Sequence, residues 1–562
     1  MAGHETKGLN APDEVGDPGV AERQISTDRH RDEGRTHGQI ELGRSGVAAC
    51  VALGTLIGWV AWPLGSNRPW SLAILEFSVA GIVGLLSLRA ALGRGSPELR
   101  QRGARVAVAA LIGWVGMAAF ALVPWPTAWL ASVNPHVAEL QSVRPGIYQA
   151  APLSIDVGST LALVLKYASY VGVFWLTLVL ACTRRRVIAL AFAVLAVCTA
   201  QGAYGTIVQL AGDGADLWNP GFANGYASGT YVGRNHYAGL LVLGLGLATG
   251  LVLSGTSAAR SYGLRGAVET VVNFLMGPGA WLAFALACMA AGLILSGSRG
   301  AFGAWLLAAF SAVLWQRGWT RRARPSVLVA AVVLAAAVWV GPHNLVSRVS
   351  ELGFDSNRPA LVSSTVDLIG QSYWLGAGAG SFEWRFPAVR GAEFGAFYYQ
   401  HAHNDWLEMV ADLGVLGAVP LYVGIGIALA RSIGGARRRH DRLARGIATG
   451  SAIGAIAFLC HGLVDFNFQI PANGFYFFVL LGLGLNAADR GCMPAALDSP
   501  ERRYDRARYG DEARAADLHA EAVPSRAGVV SHLEDRRNRP DPAEPSGTIR
   551  RTGKPASERP GD

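Results

Sequence analysis

The chain has 562 residues, of which 51% are hydrophobic and only 16% charged, against about 25% charged in an ordinary soluble domain. Its net charge of +9 rests on arginine, because lysine occurs only at Lys7, Lys166 and Lys554. The arginines are spread over many short connections, which points to membrane topology and away from a nucleic-acid groove.

Residues 1–43 are polar and of mixed charge, with no apolar stretch behind a short basic one. They are expected to form a disordered cytoplasmic tail and no signal peptide. From 44 to 488 the apolar residues fall in runs of about 17–25, each long enough to cross roughly 30 Å of hydrocarbon. Twelve spans are expected, at 45–65, 70–92, 105–125, 157–181, 186–210, 236–254, 279–296, 300–316, 326–341, 405–430, 446–465 and 472–488. With the N-terminus inside, the inner connections contain Arg94, Arg100 and Arg102, then Arg184 to Arg186, Arg260 and Arg265, the cluster from Arg317 to Arg324, and the cluster from Arg431 to Arg445. The short outer connections contain only Arg68, Arg144, Arg234 and Arg299. That asymmetry follows the positive-inside rule through every crossing and puts both termini in the cytoplasm.

One outer connection is long. Residues 342–404 separate spans nine and ten, and loops beyond about 15 residues are functional or disordered. Trp374, Phe382, Trp384, Phe386, Phe394, Phe397, Tyr398 and Tyr399 argue for a folded subdomain. Its segment 359–370 has helical apolar spacing, and GAGAG at 376–380 marks a tight turn. Residues 489–562 are again polar and proline-rich, and a disordered cytoplasmic tail is expected. The six cysteines lack metal-ligand spacing and read as small buried residues. No internal repeat is evident.

The chemistry-bearing residues concentrate on the outer side. Arg299 lies in SGSRGAF between spans seven and eight, Arg358 in DSNRPALVSS, and Arg234, followed by Asn235, in GTYVGRNHYAG. Guanidinium groups bind phosphate oxygens bidentately, whereas a surface arginine also simply snorkels to lipid headgroups. QHAHNDWLEMVADLGVLG, 400–417, brings His401, His403 and Asn404 to the start of span ten. His401 is open to three readings: a metal ligand with Asp405 or Glu408, an accessory substrate contact, or polar packing. Asp405, Glu408 and Asp412 suit the N-terminal turns of a helix. Asp465, in LVDFNF, lies at the outer end of span eleven, within reach of a substrate. Lys166 and Glu76 lie within spans, where ionisable groups are costly unless paired or facing a cavity. The glycines of GLLVLGLGLATG read as helix-packing sites.

Taken together, QHAHNDWLEMVADLGVLG, SGSRGAF and DSNRPALVSSTVDLIGQSYWLGAGAGSF resemble the O-antigen ligase and polymerase superfamily, the membrane glycan transferases with the Wzy C-terminal domain. His403 and Asn404, a nine-residue gap, then Gly414 and Gly417 match the family's ligase pattern. GRNHYAG is similar to the family's Asn-rich entry to a membrane span, HGLVDFNFQIPANGFYF, 461–477, is similar to its outer connection between the last two spans, and the resemblance covers about 150–488. It implies an all-α integral membrane protein of about twelve helices, GT-C-like, with the large loop between helices nine and ten, in a bacterial inner membrane. It also implies a donor, a glycan on undecaprenyl pyrophosphate, and an acceptor hydroxyl on a glycan or on lipid A–core, among membrane lipids. No metal and no cofactor are expected. Arg299 and Arg358 would stabilise the leaving pyrophosphate, with Arg234 third. His403 would act as base on the acceptor, while Asn235, Asn404, His401 and Asp465 would bind substrate. Protein O-glycosylation, bicarbonate-type transport and a non-catalytic assembly scaffold are the alternatives.

Overall fold

The computed structural model describes residues 43–93, 99–143, 149–212, 216–218, 225–255, 272, 276–277, 279–315 and 357–494. The expected ninth span at 326–341, both tails apart from residues 43 and 489–494, and the start of the large loop lie outside these residues. Within them, every long apolar run is a helix, because hydrocarbon offers no partner for backbone amides and a helix satisfies them internally. The chain order is α1 (Gly43–Trp59), α2 (Pro69–Ala91), α3 (Arg102–Phe120), a hairpin of β1 (Pro124–Pro126) and β2 (Ala150–Pro152) enclosing α4 (Thr127–Val133) and α5 (Pro135–Ser142), then α6 (Val157–Leu180), α7 (Arg184–Ala211), α8 (Arg234–Gly255), α9 (Ala280–Leu295) and α10 (Arg299–Trp315). After them come α11 (Arg358–Gln371), α12 (Phe382–Val389), α13 (Asp405–Ala436), α14 (Arg442–His461) and α15 (Pro471–Ala488). Eight of these helices have the length and apolarity to cross a membrane, and α1, α9 and α10 are shorter apolar helices. The molecule is an all-α, multi-pass membrane protein.

Polar caps mark where helices begin. Asp156 starts α6 by accepting from Ser159 N–H at 3.1 Å. Asp441 starts α14 by accepting from Ala444 N–H at 2.7 Å, and its other oxygen takes Arg184 Nη1 at 2.8 Å, joining α14 to the first residue of α7. At the centre of the bundle α15 packs against α6, α13 and α14, with nearly every side chain buried. Its neighbours α8 and α14 make the most extensive helix pair, and the reason is in the glycines. A Cβ on Gly246 would fall on the Gly454 backbone, and one on Gly250 on the Gly450 backbone. Lipid gives apolar helices no hydrophobic reason to associate, so close backbone approach through small residues supplies the dispersion contact.

The large loop is folded where it is described. Leu361 and Leu368 from α11, Phe382 and Phe386 from α12, Phe394, and Ala402 and Ala411 beside and within α13 form one buried cluster. Arg385 is buried beneath it, donating to Ala411 O at 2.9 Å and Leu368 O at 2.8 Å, which ties α11 to α13. Burial pushes its guanidinium down to about 10, against the opposing pull of Asp412.

Candidate functional site

The site is assembled where the HAHN loop meets the connection between α14 and α15. Asn404 caps α13, its Oδ1 accepting from Trp406 and Leu407 N–H at 3.1 Å each. Asp405 N–H donates to Gly462 O at 2.8 Å, and Ala402 N–H donates to Glu408 Oε2 at 2.8 Å. The residues on both sides of His403 are thus pinned, and His403 absorbs the turn with φ of +49°, in the left-handed region. Such strain in a non-glycine residue persists only when its surroundings over-determine it.

Three imidazoles surround one carboxylate. His403 Nδ1 and His236 Nε2 lie 3.8 Å from Asp465 Oδ1, and His461 Nε2 lies 3.8 Å from Oδ2. Asp465 is only 1% exposed, so it stands behind the histidines. The Phe466 ring packs against His401, His236 and His403 at centroid distances of 4.4, 4.6 and 4.8 Å. Burial lowers the His403 pKa; Asp465 opposes this and Arg358 reinforces it.

The arginines reach the same turn. Arg358 Nη1 donates to Val464 O at 3.0 Å. Arg299 is exposed, and the next residue, Gly300, lies against Val464 and His461 so closely that a Cβ would sit 2.7 Å from Val464 Cγ2. Arg234 lies over the Tyr226 ring at 3.8 Å, and a Cβ on Gly297, in the SGSRG turn, would sit 3.3 Å from its Nη1. Asn235 is half-buried in the first turn of α8. Arg234, Arg299 and Arg358 are each the first residue of a helix with no acid in its first turn. A cation there has the wrong sign for the helix dipole. At the opposite face, where α3, α7 and α14 also begin with arginine, topology accounts for it. At this face the same arrangement concentrates positive potential that an anion would relieve.

Several residues take places that sequence reasoning did not assign. His236 and His461 complete the histidine group, and both were legible only as members of GRNHYAG and HGLVDFNFQIP. The acids of α13 have specific partners beyond the helix dipole. Asp405 accepts from Phe468 N–H at 3.2 Å. Glu408 bonds His401 Nδ1 at 2.8 Å and Gln469 Nε2 at 3.0 Å. Asp412 holds the GAGAG turn through Gly380 N–H at 2.6 Å, Phe382 N–H at 2.9 Å and Ser381 Oγ at 3.0 Å. Lys166 is buried and donates to Gln469 Oε1 at 2.9 Å and its carbonyl at 3.1 Å.

The fold and site together define a polytopic helical membrane protein with arginines, histidines and a buried carboxylate gathered at one end of its bundle. Residues 284–422 match the family model Wzy_C, O-antigen ligase, which assigns the segment carrying Arg299, Arg358, His401, His403 and Asn404 to the O-antigen ligase and polymerase superfamily. A comparison with curated proteins finds no match. The match spans 284–422 of the 562 residues and supports a role in surface-polysaccharide ligation or polymerisation.

Proposed function

We propose that the protein transfers a glycan from undecaprenyl pyrophosphate to a hydroxyl on a glycan or on lipid A–core, at the outer face of a bacterial inner membrane. The observation that carries this reading is the convergence of Arg358 and His403 on the Val464–Phe466 turn, with Arg299 one residue from its wall. In the reaction the acceptor oxygen forms a bond to the anomeric carbon while the bond from that carbon to the pyrophosphate oxygen breaks. The acceptor proton passes to His403, and undecaprenyl pyrophosphate leaves with the bonding pair. Arg299 and Arg358, with Arg234 at the margin, stabilise the charge gathering on the leaving oxygen. His403 is suited to the proton because its lowered pKa keeps it neutral, and Asp465 stabilises the imidazolium that forms. The arginines supply the positive charge, so the reaction needs no metal.

Twelve spans with both termini cytoplasmic fit the same reading. Trp315 O, at the end of α10, accepts from Arg437 Nε beside the C-terminal end of α13, whereas α11 starts at the opposite end, near the HAHN loop.

The test is transfer by membranes carrying the full chain, supplied with lipid-linked glycan and either lipid A–core or a second lipid-linked glycan. His403→Ala is expected to lower transfer by about 10²–10⁴-fold, Arg358→Ala to lower it strongly, and a chelator to leave it unchanged. Full activity in His403→Ala would remove the base assignment. Loss of activity to chelator, restored by a divalent metal, would remove the metal-free mechanism.

A further inference from the structure

We infer that His401 is a second imidazole at the acceptor, presenting Nε2 as a hydrogen-bond acceptor to the substrate, and that Glu408, Gln469 and Lys166 are positioning residues that fix it in that state. This rests on the reading of the site as a glycan-transfer centre.

The inference follows from donor and acceptor accounting along one chain of contacts. Lys166 has only donors to offer, and its Nζ lies 2.9 Å from one side-chain atom of Gln469. That atom must be the amide oxygen, so the Gln469 amide has only one possible orientation. Its nitrogen then faces Glu408 Oε1 at 3.0 Å and donates. Ala402 N–H donates to the other oxygen, Oε2, at 2.8 Å. Both oxygens of Glu408 are therefore acceptors. The 2.8 Å contact to His401 Nδ1 is then a hydrogen bond donated by the imidazole N–H to that carboxylate. Neutral His401 is then the Nδ1–H tautomer, and its lone pair is on Nε2. The side chain is 27% exposed while Glu408 is 3% exposed, so the accessible edge of the ring is the one opposite the carboxylate. Phe466, stacked 31° off parallel at 4.4 Å, limits rotation of the ring.

Two further facts become intelligible. Lys166, costly within a membrane span, is the group that locks the amide on which the chain depends. The Ala402 N–H bond also holds the peptide unit between His401 and Ala402, one unit ahead of the left-handed turn at His403, so Glu408 helps fix the approach to that turn. His401 does not replace His403 as base. It takes a hydrogen bond from an acceptor hydroxyl and places that acceptor.

The experiment uses the full chain in lipid nanodiscs, with lipid-linked glycan as donor and a second lipid-linked glycan as the varied acceptor. His401→Ala, Glu408→Gln and Lys166→Met are each expected to raise the acceptor KM by about tenfold, the size of one lost hydrogen bond to substrate, with the donor KM unchanged. The double variant Glu408→Gln with His401→Ala should be no worse than His401→Ala alone. An unchanged acceptor KM in His401→Ala, or effects of the two changes that multiply, would overturn the proposal. A readout independent of activity is the ¹⁵N spectrum of histidine-labelled protein, with the His401 signals assigned by their loss in His401→Ala. Neutral His401 should show the Nδ1–H pattern in the wild type and change in Glu408→Gln; an Nε2–H pattern in the wild type sinks the proposal. If the wild type shows the Nδ1–H pattern yet transfers to no acceptor, the positioning chain stands and the glycan-transfer reading fails.

Discussion

At the scale of single residues the site is governed by how burial and neighbouring charge act on His403. Burial and the Arg358 guanidinium lower its pKa, while Asp465 raises it by a smaller amount than burial removes. The sign follows directly: a base with a lowered pKa stays neutral at neutral pH and is lost only on acidification below about 6.5, the ordinary histidine value. The kcat/KM profile of the wild type should therefore be flat through neutrality and fall on the acid side. Arg358→Gln removes a charge that lowers the pKa, so the acid limb of its residual activity should move to higher pH. Asp465→Asn removes the charge that raises it, so the limb should move lower. Shifts in the reverse directions would show that another group titrates.

At the scale of elements, the nine-residue gap between Asn404 and Gly414 acquires a physical meaning. Asn404 caps α13, and Gly414 interrupts it with φ of 65° and ψ of 176°, a conformation essentially restricted to glycine. At a rise of 1.5 Å per residue the two points are about 15 Å apart. The interruption turns the backbone amides toward the loop: Val415 N–H donates to Tyr373 O at 2.9 Å and Leu416 N–H to Trp374 O at 3.1 Å. Reciprocally, Ala377 and Gly378 N–H donate to Asp412 O at 2.9 and 3.0 Å. The helix thus has His403 just ahead of its cap and the dock for GAGAG at its break. In Gly414→Ala the new Cβ would fall on the Trp374 carbonyl and Leu375 nitrogen. A loss of about 1–3 kcal/mol or more is expected from backbone strain alone, measured as a lower thermal midpoint in detergent with faster proteolysis within 372–381.

At the scale of the whole molecule, the loop is clasped from a second direction. The connection holding α4 and α5 meets the GAGAG turn: Asn134 Nδ2 donates to Gly376 O at 2.6 Å, Ile155 N–H to Ala377 O at 3.0 Å, and Thr160 Oγ1 to Ala379 O at 2.8 Å. Leu130, Val137, Ala151 and Leu153 pack around Ala377. Asn134→Ala would leave Gly376 O without this donor, at a cost of about 1–3 kcal/mol. Amide hydrogen exchange across 372–380 should accelerate while exchange in α8 and α14 stays the same. If exchange in that turn is unaffected, the clasp contributes nothing to holding the loop.

Much of this protein is determined by local chemistry that a sequence displays. Apolar runs must be helices in hydrocarbon; the helical spacing at 359–370 falls within α11; the glycines at 376, 378 and 380 all adopt positive φ. The match over 284–422 coincides with the motifs around Arg299, Arg358 and His403. Long-range partnership was not legible, because no spacing rule connects residues hundreds of positions apart. Lys166 and Gln469 lie on α6 and on the turn before α15, and nothing in either segment names the other. Asp465 read as a group in reach of substrate, whereas folding places it behind His236, His403 and His461. The acids of α13 fitted a helix start, and only packing gave Glu408 and Asp412 the loop donors that they accept from. The sequence by itself determined where the long apolar helices of the described residues fall, since that follows from side-chain type and local period. Only the tertiary structure decided which imidazole faces which carboxylate, since that depends on how separate helix ends are brought together.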